Sequence, residues 1–184
     1  MQEKGLVGTD VLPVELCPNN PEPNQGDFFC VDFTVNNFRK IVGMQFTIEF
    51  DHTVLEYDGV ANYDLPGFNR SMVDSPRDMS GNPVPGRLTF SYFNSAGPQT
   101  IPDETAAFGI CFRAIGDCDD FSFVKITGEY TKIEVISGDE PPPAVGVNIG
   151  VAVKDALVRI NPCNQNGGLT LSTDCPDAMP GDVI

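Results

Sequence analysis

Apolar and polar residues alternate with a period of two along most of the chain. In FFCVDFTV (28–35), Phe29, Val31, Phe33 and Val35 share one side, and Cys30, Asp32 and Thr34 share the other. That is the pattern of a strand with one buried face. VGMQFTIEF (42–50) repeats it, with Val42, Met44, Phe46, Ile48 and Phe50 against Gly43, Gln45, Thr47 and Glu49. VLEYDGV (54–60), RLTFSYF (87–93), AAFGICFRAIG (106–116), FSFVKITG (121–128), TKIEVI (131–136) and AVGVNIGVAV (144–153) follow, and VLPVEL (11–16) reads as a first strand. Turn clusters separate them: NNPEPNQGD, DSPRDMSGNPVPG, NSAGPQTIPDE, GDCDD and SGDEPPP. No stretch of ten residues holds a period of 3.6. Around DHTVLEY the pattern admits one helical turn with Asp51 as its cap. Eight or nine short, half-buried strands predict an all-β fold of two packed antiparallel sheets, a sandwich or jelly roll.

The parity also speaks to the cysteines at 17, 30, 111, 118, 163 and 175. Their number is even, none makes a CxxC pair, and with the single histidine, His52, they do not match a zinc site. Disulfides in an oxidising compartment are the better reading. Cys30 and Cys111 each lie opposite the large apolar residues of their strands, so pairing those strands puts both sulfurs on one side. Cys118, in the turn after the second strand, would then approach Cys17 ahead of the first. The self-consistent set is Cys30–Cys111 with Cys17–Cys118, leaving Cys163 and Cys175 to close a local loop. Fifteen connectivities are formally open.

The motifs GDFFCVDFTV, VGMQFTIEFDHTVLEYDGV, GRLTFSYF, AAFGICFRAIG and VGVNIG, in this order, resemble a cohesin domain over about residues 8–153. A Gly-Asp precedes a Val-rich strand, an aromatic-Asp pair (Phe50, Asp51) precedes Val54-Leu55-Glu56, and a Gly-Val strand closes the domain. The resemblance implies a nine-stranded antiparallel jelly-roll sandwich in which CVDFTV pairs with GICFRA. It implies a non-catalytic module of secreted or surface-attached bacterial proteins, best known for docking calcium-loaded dockerin domains. Dockerin-binding cohesins use an Asn and an Asp on the exposed face of the third strand, where this chain has Gly43 and Gln45. The expectation is therefore the fold without that particular contact pair.

Composition narrows the function further. A net charge of −15 and 26 acidic against 11 basic residues oppose nucleic-acid binding. No run of 18 apolar residues encodes a membrane span. MQEKGLVGTD lacks an apolar signal core, which fits a removed leader or a piece of a longer chain. His52 has no triad around it, and there is no Gly-x-Ser-x-Gly elbow. Glu49 and Asp51 could mimic a glycosidase pair, yet the chain has no tryptophan to stack a sugar. An enzyme is not expected, nor any cofactor other than calcium. For calcium the candidates are Asp117, Asp119 and Asp120 in GDCDD, with SGDEPPP and NNPEPNQGD as further oxygen-rich turns. None has the spacing of a calcium-binding loop, and a solvated acidic turn is the plainer reading.

The last residues echo earlier ones. CPNNPEPNQGDFF (17–29) and CPDAMPGDVI (175–184) both run from Cys-Pro through a polar stretch to Gly-Asp and two apolar residues. This predicts three parts: a sandwich over 8–153, a junction over 154–168, and the start of a further repeat over 169–184. The expected role is one unit of a tandem array in a large extracellular or cell-surface bacterial protein, a fibre, stalk or adhesin. Its partners would be neighbouring domains of the same chain or other copies in a fibre. The alternative is a module that binds a dockerin-type domain or a glycan through the face bearing Gln45, Thr47, Glu49, Thr89 and Ser91.

Overall fold

The structure is a computed structural model that describes residues 12–138 and 147–163. Twelve strand segments occur among them: β1 (Val14–Pro18), β2 (Phe28–Asn36), β3 (Ile41–Glu49), β4 (Leu55–Asn62), β5 (Val73–Asp74), β6 (Arg87–Phe93), β7 (Thr105–Ala114), β8 (Phe121–Thr127), β9 (Glu134–Ser137), β10 (Val147–Asn148), β11 (Val151–Val153) and β12 (Ala156–Arg159). Two sheets face each other. One runs β11-β1-β2-β7-β4; the other runs β10-β9-β3-β6-β5, with β8 also on β3 and β12 on β8.

The sandwich expected from alternation is present. The buried parity of each strand turns inward: Val31, Phe33 and Val35 from β2, Met44, Phe46 and Ile48 from β3, Leu88, Phe90 and Tyr92 from β6, and Phe108, Ile110 and Phe112 from β7. An aromatic spine crosses the core. Phe46 and Phe90 stack within one sheet with centroids 4.5 Å apart, Phe33 and Phe108 stack within the other at 4.9 Å, and Phe90 meets Phe108 between the sheets at 4.9 Å. Such pairs add about 0.5–1.5 kcal/mol each beyond the area they bury.

Several boundaries differ from the expected ones, each for a tertiary reason. The segment 144–153 is not one strand. β10 pairs with β9, whereas β11 runs parallel to β1 in the opposite sheet. The chain changes sheets at Gly150, whose φ of +76° suits glycine and few other residues. The result is a strand count above nine and one parallel pair in an otherwise antiparallel sandwich. The predicted turn after Phe50 is present as a single hydrogen-bonded turn, Leu55 N–H to Asp51 O at 2.9 Å, with Asp51 Oδ1 accepting from Thr53 N–H at 2.8 Å. A 3-10 turn over Arg70–Met72, capped by Asn69, had no periodic signal.

The described part of the junction expected over 154–168, residues 154–163, belongs instead to the sandwich. β12 pairs with β8 and buries Ala156, Val158 and Ile160. Its other edge is held by the β1–β2 loop. Leu157 N–H donates to Asn20 Oδ1 at 2.8 Å, and Asn161 N–H donates to Pro23 O at 2.8 Å. The edge is thus satisfied by the loop, through the Asn20 side chain and the Pro23 carbonyl, and not left open for another chain. The repeat expected over 169–184 lies outside the described residues.

This strand also corrects the disulfides. Cys30 and Cys111 face each other in the β2–β7 register and are bonded. Cys118 is bonded to Cys163, neither to Cys17 nor leaving Cys163 for Cys175. The cause is register: Arg159 pairs with Phe121 in antiparallel β12–β8, so continuing four residues brings Cys163 beside the 117–118 turn. Cys17 lies opposite Thr34, near the far end of β2, away from that turn. Cys17 is itself disulfide-bonded, and Cys175 lies outside the described residues.

Candidate docking surface

The outer face of the β3-containing sheet is built in rows set by register. Glu49 sits between Lys125 and Arg87, Thr47 between Thr127 and Thr89, Gln45 between Glu134 and Ser91, and Gly43 between Ile136 and Phe93. Only Ser91 of the expected face residues stands exposed without closing a contact across the sheet. Gln45 donates from Nε2 to Glu134 Oε2 at 3.0 Å, Thr89 Oγ1 donates to Asp74 O at 3.1 Å, and Glu49 is ion-paired with Arg87.

Thr47 departs most from expectation: it is 0% exposed. β8 and β9 run in the same direction along the same edge of β3, β8 beside Thr47–Glu49 and β9 beside Ile41–Gln45. They behave as one interrupted strand, and the residues between them, 128–133, fold over the face as a flap. Thr47 Oγ1 accepts from Tyr130 N–H at 3.0 Å and Thr131 N–H at 2.8 Å, and Arg87 holds Glu129 at 2.6 Å. A face that reads as open polar strand is covered at its centre.

Around this flap lie apolar side chains that the face assignment passed over. Phe93 is 61% exposed, Phe121 53%, Tyr130 46% and Phe123 43%. These are four of nine large apolar side chains left exposed among the described residues; Phe28 in the other sheet, with Tyr63 and Ile115 one residue past its strands, are three more. The signal was available in the sequence. Phe93 shares parity with Arg87, Thr89 and Ser91, and Phe121 and Phe123 share parity with Lys125, so each is an aromatic on a polar side. Gly43, between Phe93 and Ile136, leaves a shallow bare spot. A Cβ there would come within 2.9 Å of the Tyr92 carbonyl oxygen.

At one end the sheet splits. β8 pairs with β3 only through Lys125–Thr127 and then turns to β12, so its first half leaves the β3–β6 end. The resulting open groove, about 350 Å³, has Phe121 and Phe123 on one side and Glu49, Asp51 and Arg87 on the other. Lys125 lies 5.3 Å from the Phe123 ring centre. The Thr53 hydroxyl, then its amide, holds the Asp51 carboxyl below the ordinary carboxylate value. Glu49 and Asp51 do not face a shared proton: Glu49 is held by Arg87 and Asp51 by Thr53, and His52 lies exposed.

The acidic turn Asp117–Asp120 closes on itself. Asp120 Oδ2 accepts from Asp117 N–H at 2.8 Å, Gln25 Nε2 reaches Asp117 Oδ1 at 3.4 Å, and Asp119 N–H donates to Ile160 O at 3.1 Å. Among the described residues no group of three or more His, Cys, Asp or Glu side chains converges as a metal-ligand set. The loop SGDEPPP lies mostly outside them.

Known proteins agree with this geometry. The seventh ScaB type I cohesin of Pseudobacteroides cellulosolvens superposes with a TM-score of 0.64 at 12% identity, over 87% of this chain and 99% of that one. The Coh-OlpA-Doc918 complex of Clostridium thermocellum gives 0.60 at 15% identity, over 80% and 99%. A non-cellulosomal cohesin from the archaeon Archaeoglobus fulgidus gives 0.58 at 17% identity, over 80% and 91%. No curated protein matches by sequence. The profile of the cohesin domain matches residues 14–133, from the first strand of the sandwich to the flap over Thr47. The chain therefore belongs to the cohesin family, whose members are non-catalytic protein-interaction modules, and it is not an enzyme.

Proposed function

We propose that this domain docks a partner domain of dockerin type through the outer face of the β3-containing sheet, and that it does so as one module of a secreted or surface-attached chain. The carrying observation is the concentration of exposed aromatics there, Phe93, Tyr130, Phe121 and Phe123, around the tethered flap. Exposed aromatics sharing one face are the residue type in which interface hot spots are enriched. The three similar structures above, at 12–17% identity, are all cohesins, and one of them is a complex with a dockerin. Disulfides support an oxidising compartment, and no described helix is long and apolar enough to cross a membrane.

The contacts would differ from those of dockerin-binding relatives. Gly43 has no room for a side chain against the Tyr92 carbonyl, and Gln45 is engaged by Glu134. The flap and the aromatics flanking it would therefore make the interface. Titration calorimetry against a panel of calcium-loaded dockerin domains tests this. Phe93→Ala and Tyr130→Ala should each weaken binding at least tenfold, and Phe28→Ala, on the opposite sheet, should leave it unchanged. A panel that gives no binding, or binding insensitive to the first two changes, sinks the reading.

A second reading is favoured by the split-sheet groove. Two exposed phenylalanines beside carboxylates and cations offer a stacking surface and hydrogen-bonding groups for a sugar. A glycan array separates the two. Glycan binding lost in Phe121→Ala, with no dockerin binding, would replace docking by carbohydrate recognition.

A further inference from the structure

Asn69-Arg70-Ser71 is the one Asn-x-Ser or Asn-x-Thr triplet in the chain. That triplet is the acceptor motif for N-linked glycans on exported proteins. So short a motif also arises by chance, and its placement decides. All three residues are exposed. They stand on a fixed base. Leu65 and Phe68, just ahead of them, are buried, and Phe68 lies 5.3 Å from Phe90 in one sheet and 5.5 Å from Phe108 in the other. Pro66 O accepts from the Tyr92 hydroxyl and from Asn94 Nδ2, each at 3.0 Å, and Asn62 Nδ2 donates to Phe68 O at 3.1 Å.

The carboxamide itself leaves room for the modification. Asn69 Oδ1 accepts from Ser71 N–H at 3.0 Å and from the Ser71 hydroxyl at 2.6 Å, so the hydroxyl of the motif lies on the acceptor side chain. Asn69 Nδ2 donates to Gly67 O at 3.2 Å. A carboxamide nitrogen carries two N–H groups, so one remains for substitution while the other keeps Gly67. The site also stands where bulk would matter. β4 and β5 end their sheets on this side, and residues 63–72 connect them. Open strand edges invite pairing with other chains unless they are covered.

We propose that Asn69 is an N-glycosylation site whose glycan covers the rim between the β4 and β5 edges. The donor is a glycan joined to a lipid through a diphosphate. Asn69 Nδ2 forms a bond to the anomeric carbon as the carbon–oxygen bond to the diphosphate breaks. The lipid diphosphate leaves with the electron pair, the nitrogen gives up one proton, and nothing is oxidised or reduced. The inference rests on the exported location proposed above and not on docking.

Peptide mapping by mass spectrometry of the full chain, taken from the cells that make and export it, tests the site. The peptide spanning Asn69 should carry a glycan, and peptide N-glycosidase should leave Asp at that position. Ser71→Ala, made in the same cells, should lower occupancy at least tenfold, and Ser71→Thr should keep it. Removing the glycan from the folded protein should raise its light scattering on storage; unchanged scattering overturns the covering role. A bare Asn69 in a chain whose cysteines resist alkylation overturns the site and leaves the exported location standing. A bare Asn69 with freely alkylated cysteines overturns both. The parent chain alone gives these results, so they hold even if Ser71→Ala fails to fold, and they need no docking partner.

Discussion

Thr47 shows how much one side chain can organise on this surface. Its hydroxyl accepts two backbone N–H groups of the flap and is itself fully covered. Thr47→Val keeps the branched shape and removes the acceptor, leaving two donors without their partner. The expected cost is about 2 kcal/mol, read from the urea midpoint, with a flap that becomes protease-sensitive before the sandwich unfolds. An unchanged midpoint and an intact flap would refute this role. Asp51 gives a pH signature. Its carboxyl is held below the ordinary value of 3.8, first by the Thr53 hydroxyl and then by the Thr53 amide. A folded value below the unfolded one means stabilisation that is present above the unfolded value and lost as pH falls through the folded value. Because Asp51 is exposed, the effect is small. Denaturation at neutral pH and again below about pH 3 should show a slightly smaller acid loss in Asp51→Asn than in the parent chain.

At the scale of elements, β12 is the decisive strand. It buries Ala156, Val158 and Ile160, and it seats Cys163 beside Cys118. A chain ended after Val153 should lose about 5 kcal/mol from these three side chains, besides the disulfide. Thermal unfolding followed by circular dichroism should then fall by tens of degrees or lose its cooperativity, and melting like the longer chain would show that β12 adds nothing. The alternation in β2, β3, β6 and β7 was readable because each has one face in the core, so parity alone assigned Phe33, Phe46, Phe90 and Phe108 to the interior. The alternation could not reveal that 144–153 serves two sheets, since Gly150 looks like any turn glycine until its φ is known. Nor could it reveal the flap. TKIEVI scans as a strand, but its first residues are drawn over Thr47 because β8 already occupies the adjacent stretch of β3.

For the whole molecule, the disulfides and the acidic turns set the expectations. Closing loops of sequence separation 81 and 45 should stabilise the fold by about 4 kcal/mol each through the unfolded chain. Reduction should therefore lower the denaturation midpoint sharply, with the Cys30–Cys111 pair dominant by a small margin. Equal midpoints in oxidised and reduced protein would remove that account. The Asp117–Asp120 turn closes through its own hydrogen bonds, so a calcium chelator should leave the melting temperature unchanged. A fall of several degrees would restore calcium as a structural component.

By itself the sequence determined the class of fold and the faces of the central strands, because both follow from side-chain parity within single strands; parity also put Cys30 and Cys111 on one side, and the β2–β7 register joined them. The family resemblance rested on the same strand-and-turn order. Tertiary structure alone decided the partner of Cys118, the fate of residues 154–160 and the flap over Thr47. Each of these depends on which strand lies beside which and in what register. Period-two alternation is blind to that, because it records the face a residue points to and not the neighbour it meets.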